Sequence, residues 1–243
     1  MRLLTGDFPK DHYHHRGVFW AWPHVRIGGE DYSLWSLSGI RHKFERWACQ
    51  EAQEARAVLG VENGWYSGEK KVVHEKVRIV VHSATAESRS LDFELTWTAI
   101  EAVTLRGAGG KSYGGLTLRF APREDTAITV PSGLTSADLA VTRLPWADLT
   151  AQFQGAPGPS GVGIFVDRRH PDYPPTWLTR HYGVLCVGWP GVEPKTLKPG
   201  EPVRLSYRLW VHRGSVGVAA LKRAYEKWIP PEGSLHKEAK RAR

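Results

Sequence analysis

Residues able to exchange protons near neutral pH crowd the start of this chain. Four of its 11 histidines, His12, His14, His15 and His24, fall in the first 24 positions, with Arg16 among them. In an extended segment His12, His14 and Arg16 project to one side and His15 to the other. Two imidazoles and a guanidinium on one face can bind an anion or a hydroxyl-rich ligand and move protons. His14 and His15 are therefore candidate catalytic residues, with His42, at the start of a later strand, as a third. His12, Arg16, Trp20 and His24 are candidate substrate contacts. A His-x-His arm also suits a transition metal, completed by a distant histidine such as His42 or His170. No Cys or Glu lies close in sequence to finish a recognised ligand set, so neither a metal nor another cofactor is expected.

A second dense segment runs from Asp167 to Gly183 and contains His170, Trp177, Arg180, His181 and Tyr182. Its prolines, at 171, 174 and 175, impose a stiff and irregular loop, which holds polar side chains at low entropic cost. Trp177 offers a face to the apolar side of a sugar ring while Arg180 and the histidines bond its hydroxyls. The alternative is a rigid crossover with Trp177 in the core. Arg119 follows a Gly-rich turn and shares a strand face with Thr117, either in a cleft or in solvent. No Gly-x-Ser-x-Gly elbow, P-loop or Gly-x-Gly-x-x-Gly helix opening occurs, so serine hydrolase, nucleotidase and Rossmann dehydrogenase readings fall away.

The elements that must position these residues are strands. Leu91, Phe93, Leu95 and Trp97 alternate with polar residues, as do Val73, Val77 and Ile79, and Leu205, Tyr207, Leu209 and Val211. Shorter strands are expected at Val18–Val25, Tyr32–Leu37, Ile40–Cys49, Val58–Tyr66, Leu116–Ala121, Gly161–Val166 and Gly183–Val187. Gly- and Pro-rich turns punctuate them. The pattern predicts an all-β fold, a large antiparallel sandwich spanning residues 1–230 as one domain. One helix is predicted near the C-terminus, capped by Ser215, carrying Val218, Leu221, Tyr225 and Trp228, and stopped by Pro230.

Composition sets the class. The 243 residues are 41% hydrophobic, with 11 Trp, 8 Tyr and 7 Phe, enough bulky apolar surface for a core. No apolar run approaches the length that crosses a bilayer, so no membrane association is expected. The net charge is +8, part of it in a basic tail, residues 231–243, read as disordered and carrying Lys237, Lys240, Arg241 and Arg243. The body is modestly basic and shows no nucleic-acid-binding motif, so no nucleic-acid partner is expected, and the charge is equally compatible with a cleft for acidic sugars or another small anion. Cys49 and Cys186 make no disulfide framework and the N-terminus has no signal-peptide core, which points to the cytoplasm.

The motif Asp11-His12-Tyr13-His14-His15-Arg16-Gly17 resembles the Asp-His-Pro-His-His-Arg-Gly signature of the soluble proteins filed as "methane oxygenase PmoA-like", with Tyr13 in place of the usual Pro. Later segments follow in a similar order: Gly39 to His42, Tyr113 to Arg119, His170 to Gly183, and Leu197 to Gly214. The resemblance implies a supersandwich like that of galactose mutarotase, which binds carbohydrate across a concave sheet. On that expectation the protein is carbohydrate-active, with histidine as acid or base in mutarotase-, epimerase-, lyase- or hydrolase-like chemistry. The alternatives are a carbohydrate-binding module without activity and a His-based metal-dependent enzyme.

Overall fold

Eighteen strands and one helix follow one another along the chain in a computed structural model that describes residues 4–6 and 14–229. The basic tail expected over 231–243, and His12, lie outside those residues. The first nine strands are β1 (Val18–Ala21), β2 (His24–Ile27), β3 (Glu30–Tyr32), β4 (Arg41–Ala52), β5 (Arg56–Ser67), β6 (Lys70–His82), β7 (Ser88–Ala99), β8 (Val103–Arg106) and β9 (Gly115–Arg119). Then come β10 (Arg123–Val130), β11 (Gly133–Thr135), β12 (Thr142–Arg143), β13 (Trp146–Phe153), β14 (Ser160–Val166), β15 (Thr176–Arg180), β16 (Val184–Gly188), β17 (Lys195–Leu197) and β18 (Pro202–Arg213). The helix α1 covers Val218–Trp228.

A nine-stranded sheet runs in the order β11-β10-β13-β14-β18-β7-β6-β5-β4, and a five-stranded sheet in the order β1-β9-β16-β15-β12. A four-stranded sheet, β17-β8-β2-β3, completes the fold. The strand ladders are antiparallel, as alternating sequence patterns favour. The fold is thus the expected all-β sandwich with one C-terminal helix. The long central strands follow directly from their period of two: Val77 lies opposite Leu95, and Leu205 opposite the same Leu95 from the other side. Gly68, at φ 58°, closes the β5–β6 hairpin in a conformation that a side chain would resist.

Tryptophan holds the sheets together. Trp22, between β1 and β2, has its ring centroid 5.1 Å from both Trp65 and Trp97 of the large sheet, and Trp97 stacks on Trp189 at 5.8 Å. All four are fully buried. The Trp22 Nε1–H donates to the Trp189 carbonyl at 2.6 Å, whereas the Trp189 Nε1–H is buried without a partner among the described residues. A Cβ at Gly114 would stand 2.5 Å from the Trp22 ring, and the φ of 100° there suits glycine too.

Four local expectations are corrected. The strand expected over Val18–Val25 divides into β1 and β2 at Trp22-Pro23, where proline has no N–H for a ladder. The strand expected over Tyr32–Leu37 ends at Tyr32, after which a turn closed by a Ser33–Ser38 bridge brings Leu37 to φ 56°. The stiff loop read over 167–183 stops at Pro175, and Thr176–Arg180 is strand β15. Finally, the helix is capped by Gly217 rather than Ser215 and has no side-chain cap.

Candidate functional site

The five-stranded sheet assembles residues from three distant parts of the chain in two adjacent rows. In the first, the Arg119 N–H donates to the Gly17 carbonyl at 2.9 Å, Arg119 lies opposite Val184, and Val184 lies opposite Arg180. In the second, Phe19 pairs with Thr117, Thr117 with Cys186, and Cys186 with Leu178. Directly opposed residues share a face, and so do residues two apart along a strand. Arg119, Arg180, Phe19 and Cys186 therefore project to the same side. Trp20 and Trp177 are one residue out of step and project into the sandwich.

Over the Phe19 row sits an aromatic layer. His15 stacks on Phe19 with centroids 4.8 Å apart and planes 9° from parallel, and Trp35 meets the His15 edge at 4.5 Å. Tyr113 follows, 5.4 Å from Trp35, packed on Leu178, Val184 and Cys186. Burial pushes the Cys186 thiol up to about 11, while hydrogen bonding to Thr117 opposes that shift. Its S–H points at the carbonyls of Ser112 and Gly114, so it is an inert packing group.

His14 lies edge-on to His15 at 4.3 Å. Both donate Nε2–H to one acceptor, the Trp35 carbonyl, at 2.7 Å. A carbonyl only accepts, so each neutral ring carries its proton on Nε2 and keeps Nδ1 as the basic nitrogen. His15 is buried and His14 half-buried, and the Nδ1 atom of each ring is buried.

The Arg119 row forms the open side of this face. Tyr182 is 61% exposed, and its ring centroid lies 5.8 Å from the Arg119 guanidinium. Partial desolvation raises its phenol above the ordinary tyrosine value, with Arg119 and Arg180 opposing. Arg180 Nη1 donates to the carbonyls of Leu139 and Thr179 at 3.1 and 2.9 Å. Its Nε lies 3.9 Å from Asp138. The same aspartate accepts the N–H and Nδ1–H of His181, each at 2.8 Å. Burial works against ionised Asp138, yet the His181 bonds and the Arg180 charge hold its carboxyl below the usual value.

The remaining candidates lie elsewhere. Trp20 Nε1–H donates at 2.7 Å to Glu75 of the large sheet, whose same oxygen accepts Trp97 at 2.9 Å and Trp65 at 3.1 Å. Asn63 bonds the other oxygen at 2.9 Å. This carboxylate, 1% exposed, is a clamp between sheets. His42 rests against Trp65 at 5.4 Å and Trp20 at 6.4 Å, and burial lowers its pKa while Glu75 opposes. His24 pairs with Asp31 at 2.8 Å in the four-stranded sheet. His170 is buried beneath the 167–175 loop. Trp177 is fully buried, with Nε1–H on the Leu144 carbonyl, so neither ring face is open to a ligand. Among the described residues no group of three or more His, Cys, Asp or Glu is placed to hold a metal ion, and no helix is long and apolar enough to cross a membrane.

The structure therefore gathers His14, His15, Arg119, Arg180, His181 and Tyr182 about one face, with Arg16 one residue before the Gly17 end of the row. It separates them from Trp20, His24, His42, His170 and Trp177. Tyr113 belongs with the first group; its signal was the Tyr-Gly-Gly turn leading into β9.

A family model described as a family of unknown function (DUF6807) matches residues 2–226, and the chain belongs to that family. No curated protein matches it. Among solved structures it is similar to "Putative kojibiose phosphorylase from human microbiome", at 9% identity with a TM-score of 0.41. That match covers 87% of this chain and 25% of the other, so the chain spans a quarter of the length of that protein.

Proposed function

We propose that this member of the DUF6807 family binds an anionic carbohydrate on the outer face of its five-stranded sheet, with His14 as the proton-transfer group. The observation that carries the reading is the Arg119–Val184–Arg180 row beside Tyr182. Two guanidinium groups in one row favour a carboxylate or phosphate. The exposed phenol ring gives a sugar's apolar face something to lie on. Asp138 offsets part of the Arg180 charge, so the anion contact rests chiefly on Arg119. The resemblance of the Asp11–Gly17 motif to the soluble PmoA-like proteins, and the mutarotase-like sandwich it implies, support the same ligand class.

His14, held through Nε2 by the Trp35 carbonyl, would accept a proton at Nδ1 from a sugar hydroxyl or acidic carbon once its ring turns outward, since that atom is buried. A second reading is a binding module without turnover. It is favoured by the same Asp138, since the carboxylate nearest the Arg180 end is already bonded and does not supply the partner that acid–base chemistry at an anomeric centre needs.

A thermal-shift screen of uronic acids, sugar phosphates and their neutral parents tests the ligand class. Anionic sugars are expected to raise Tm and their neutral parents to do so far less; equal shifts, or none, would contradict the proposal. Proton NMR of the stabilising sugar, with wild type and His14→Gln, separates the two readings. The catalytic reading expects conversion by wild type alone, and the module expects binding without conversion by either.

A further inference from the structure

Away from that face, a cavity of about 670 Å³ opens at one end of the sandwich. None of its lining residues belongs to the Arg119 row. Its floor and walls are apolar: Leu4, Phe153 and Val211, the Ala84–Ala86 turn between β6 and β7, and the Ala156–Pro159 loop between β13 and β14. That volume lies within the range of about 300–1,000 Å³ common to small-molecule sites.

Two arginines of adjacent strands line the mouth. Arg89 lies opposite Val211, and the Arg213 N–H donates to the Glu87 carbonyl, so Arg89 and Arg213 are diagonal neighbours on one face of the β7–β18 ladder. Diagonal pairs stand roughly 7–8 Å apart, within reach of a shared ligand for side chains of this length. Both are exposed, and among the described residues neither forms an ion pair or side-chain hydrogen bond. Glu87 also lines the cavity without pairing to either, which leaves a net positive mouth. His212 contributes no anion-binding group, since its Nε2 is held by buried Asp148 at 2.9 Å and its Nδ1 by the Gly214 carbonyl at 3.2 Å.

We infer that this cavity binds a small amphipathic carboxylate, its apolar body against Phe153, Val211 and the alanine–proline walls and its anionic head between Arg89 and Arg213. A fully polar sugar would desolvate its hydroxyls against these walls without replacing their hydrogen bonds. A neutral or cationic amphiphile would gain nothing from the two guanidinium groups. An anion on an apolar stem uses both features, and charge-assisted bonds to arginine set its orientation. The site and its ligand are independent of the carbohydrate reading.

Titration calorimetry with sodium decanoate tests it, with 1-decanol and decyltrimethylammonium as matched-chain controls. Saturable one-to-one binding of decanoate is expected, with both controls weaker by about tenfold or more, a factor within the range of a charged hydrogen bond. The Arg89→Gln/Arg213→Gln double variant should lose about the same factor with Tm unchanged, since neither side chain is bonded to the fold. Gly158→Trp, at a lining position where a Cβ meets nothing within 4 Å, introduces a bulky ring without a backbone clash and should weaken binding. Failure of decanoate to saturate, equal affinity for decanol, or undiminished affinity in the double variant would each overturn the inference.

Discussion

His170 accepts the Asp172 N–H on Nδ1, so its neutral ring carries a proton on Nε2, and that atom is buried with no partner. Burial pushes its pKa down to about 4, with Asp172 and Asp167 opposing and Lys195 adding to the fall. In the unfolded chain the same ring titrates near 6.5, so between the two values the unfolded state holds more protons. The stabilisation is complete above about 6.5 and is lost as pH falls towards 4, on the order of 3 kcal/mol in all. His42, lowered by burial as well, acts in the same direction. Urea midpoints across this window should fall more steeply for wild type than for His170→Gln; parallel curves would show that the ring does not couple folding to pH. Glu75 carries a different load. Its substitution by Ala orphans three indole N–H groups and should cost about 3–5 kcal/mol, read as a lower urea midpoint. A change under about 1 kcal/mol would show the clamp to be idle. Glu75 stood in the sequence in step with Val73 and Val77, a charge on a core face. Its partners lie 10 to 55 positions away, a separation that no local pattern reveals.

Strands were legible where one face is buried and the other wet, as in β6, β7 and β18, because that asymmetry imposes a period of two. They were less so in β13, where seven of eight residues are buried and the alternation fades, and in β15, where the preceding prolines suggested a loop. Helix α1 was legible from its period, yet its docking partners were not. Leu221, Tyr225 and Ile229 pack with Trp146 and Phe165 as a cluster separate from the main core. The Tyr225 hydroxyl donates to the Val166 carbonyl at 3.1 Å and accepts from Tyr173 at 2.7 Å, tying the helix to β14 and to the 167–175 loop. Tyr225→Phe removes both bonds while keeping the ring, and should cost about 1–3 kcal/mol. Hydrogen exchange should show that loss as faster exchange in α1 ahead of the sheets. Uniform acceleration across the whole chain would mean that the helix opens only with global unfolding.

At the scale of the whole molecule, the same sandwich presents two unlike surfaces. The outer face of the five-stranded sheet is cationic and aromatic, whereas the cavity at the sandwich end is apolar with a cationic mouth. The net charge of +8 was compatible with an anionic partner without saying where it binds. The two dense polar segments were visible in the sequence. Their meeting was not, because it depends on β1, β9, β16 and β15 lying side by side, an order set by long-range pairing. Nor was the division of labour among their arginines: Arg180 supports the Leu139 carbonyl, so its loss perturbs the fold as well as a ligand, whereas Arg119 lies against the exposed Tyr182 ring. The most direct measurement is calorimetric titration of wild type, Arg119→Gln and Tyr182→Ala with a uronic acid and its neutral parent sugar. If the face binds anionic carbohydrate, Arg119→Gln weakens the uronate by about tenfold or more and spares the neutral sugar, while Tyr182→Ala weakens both. Uronate affinity unaltered in both variants, or no uronate binding to wild type, would contradict the account.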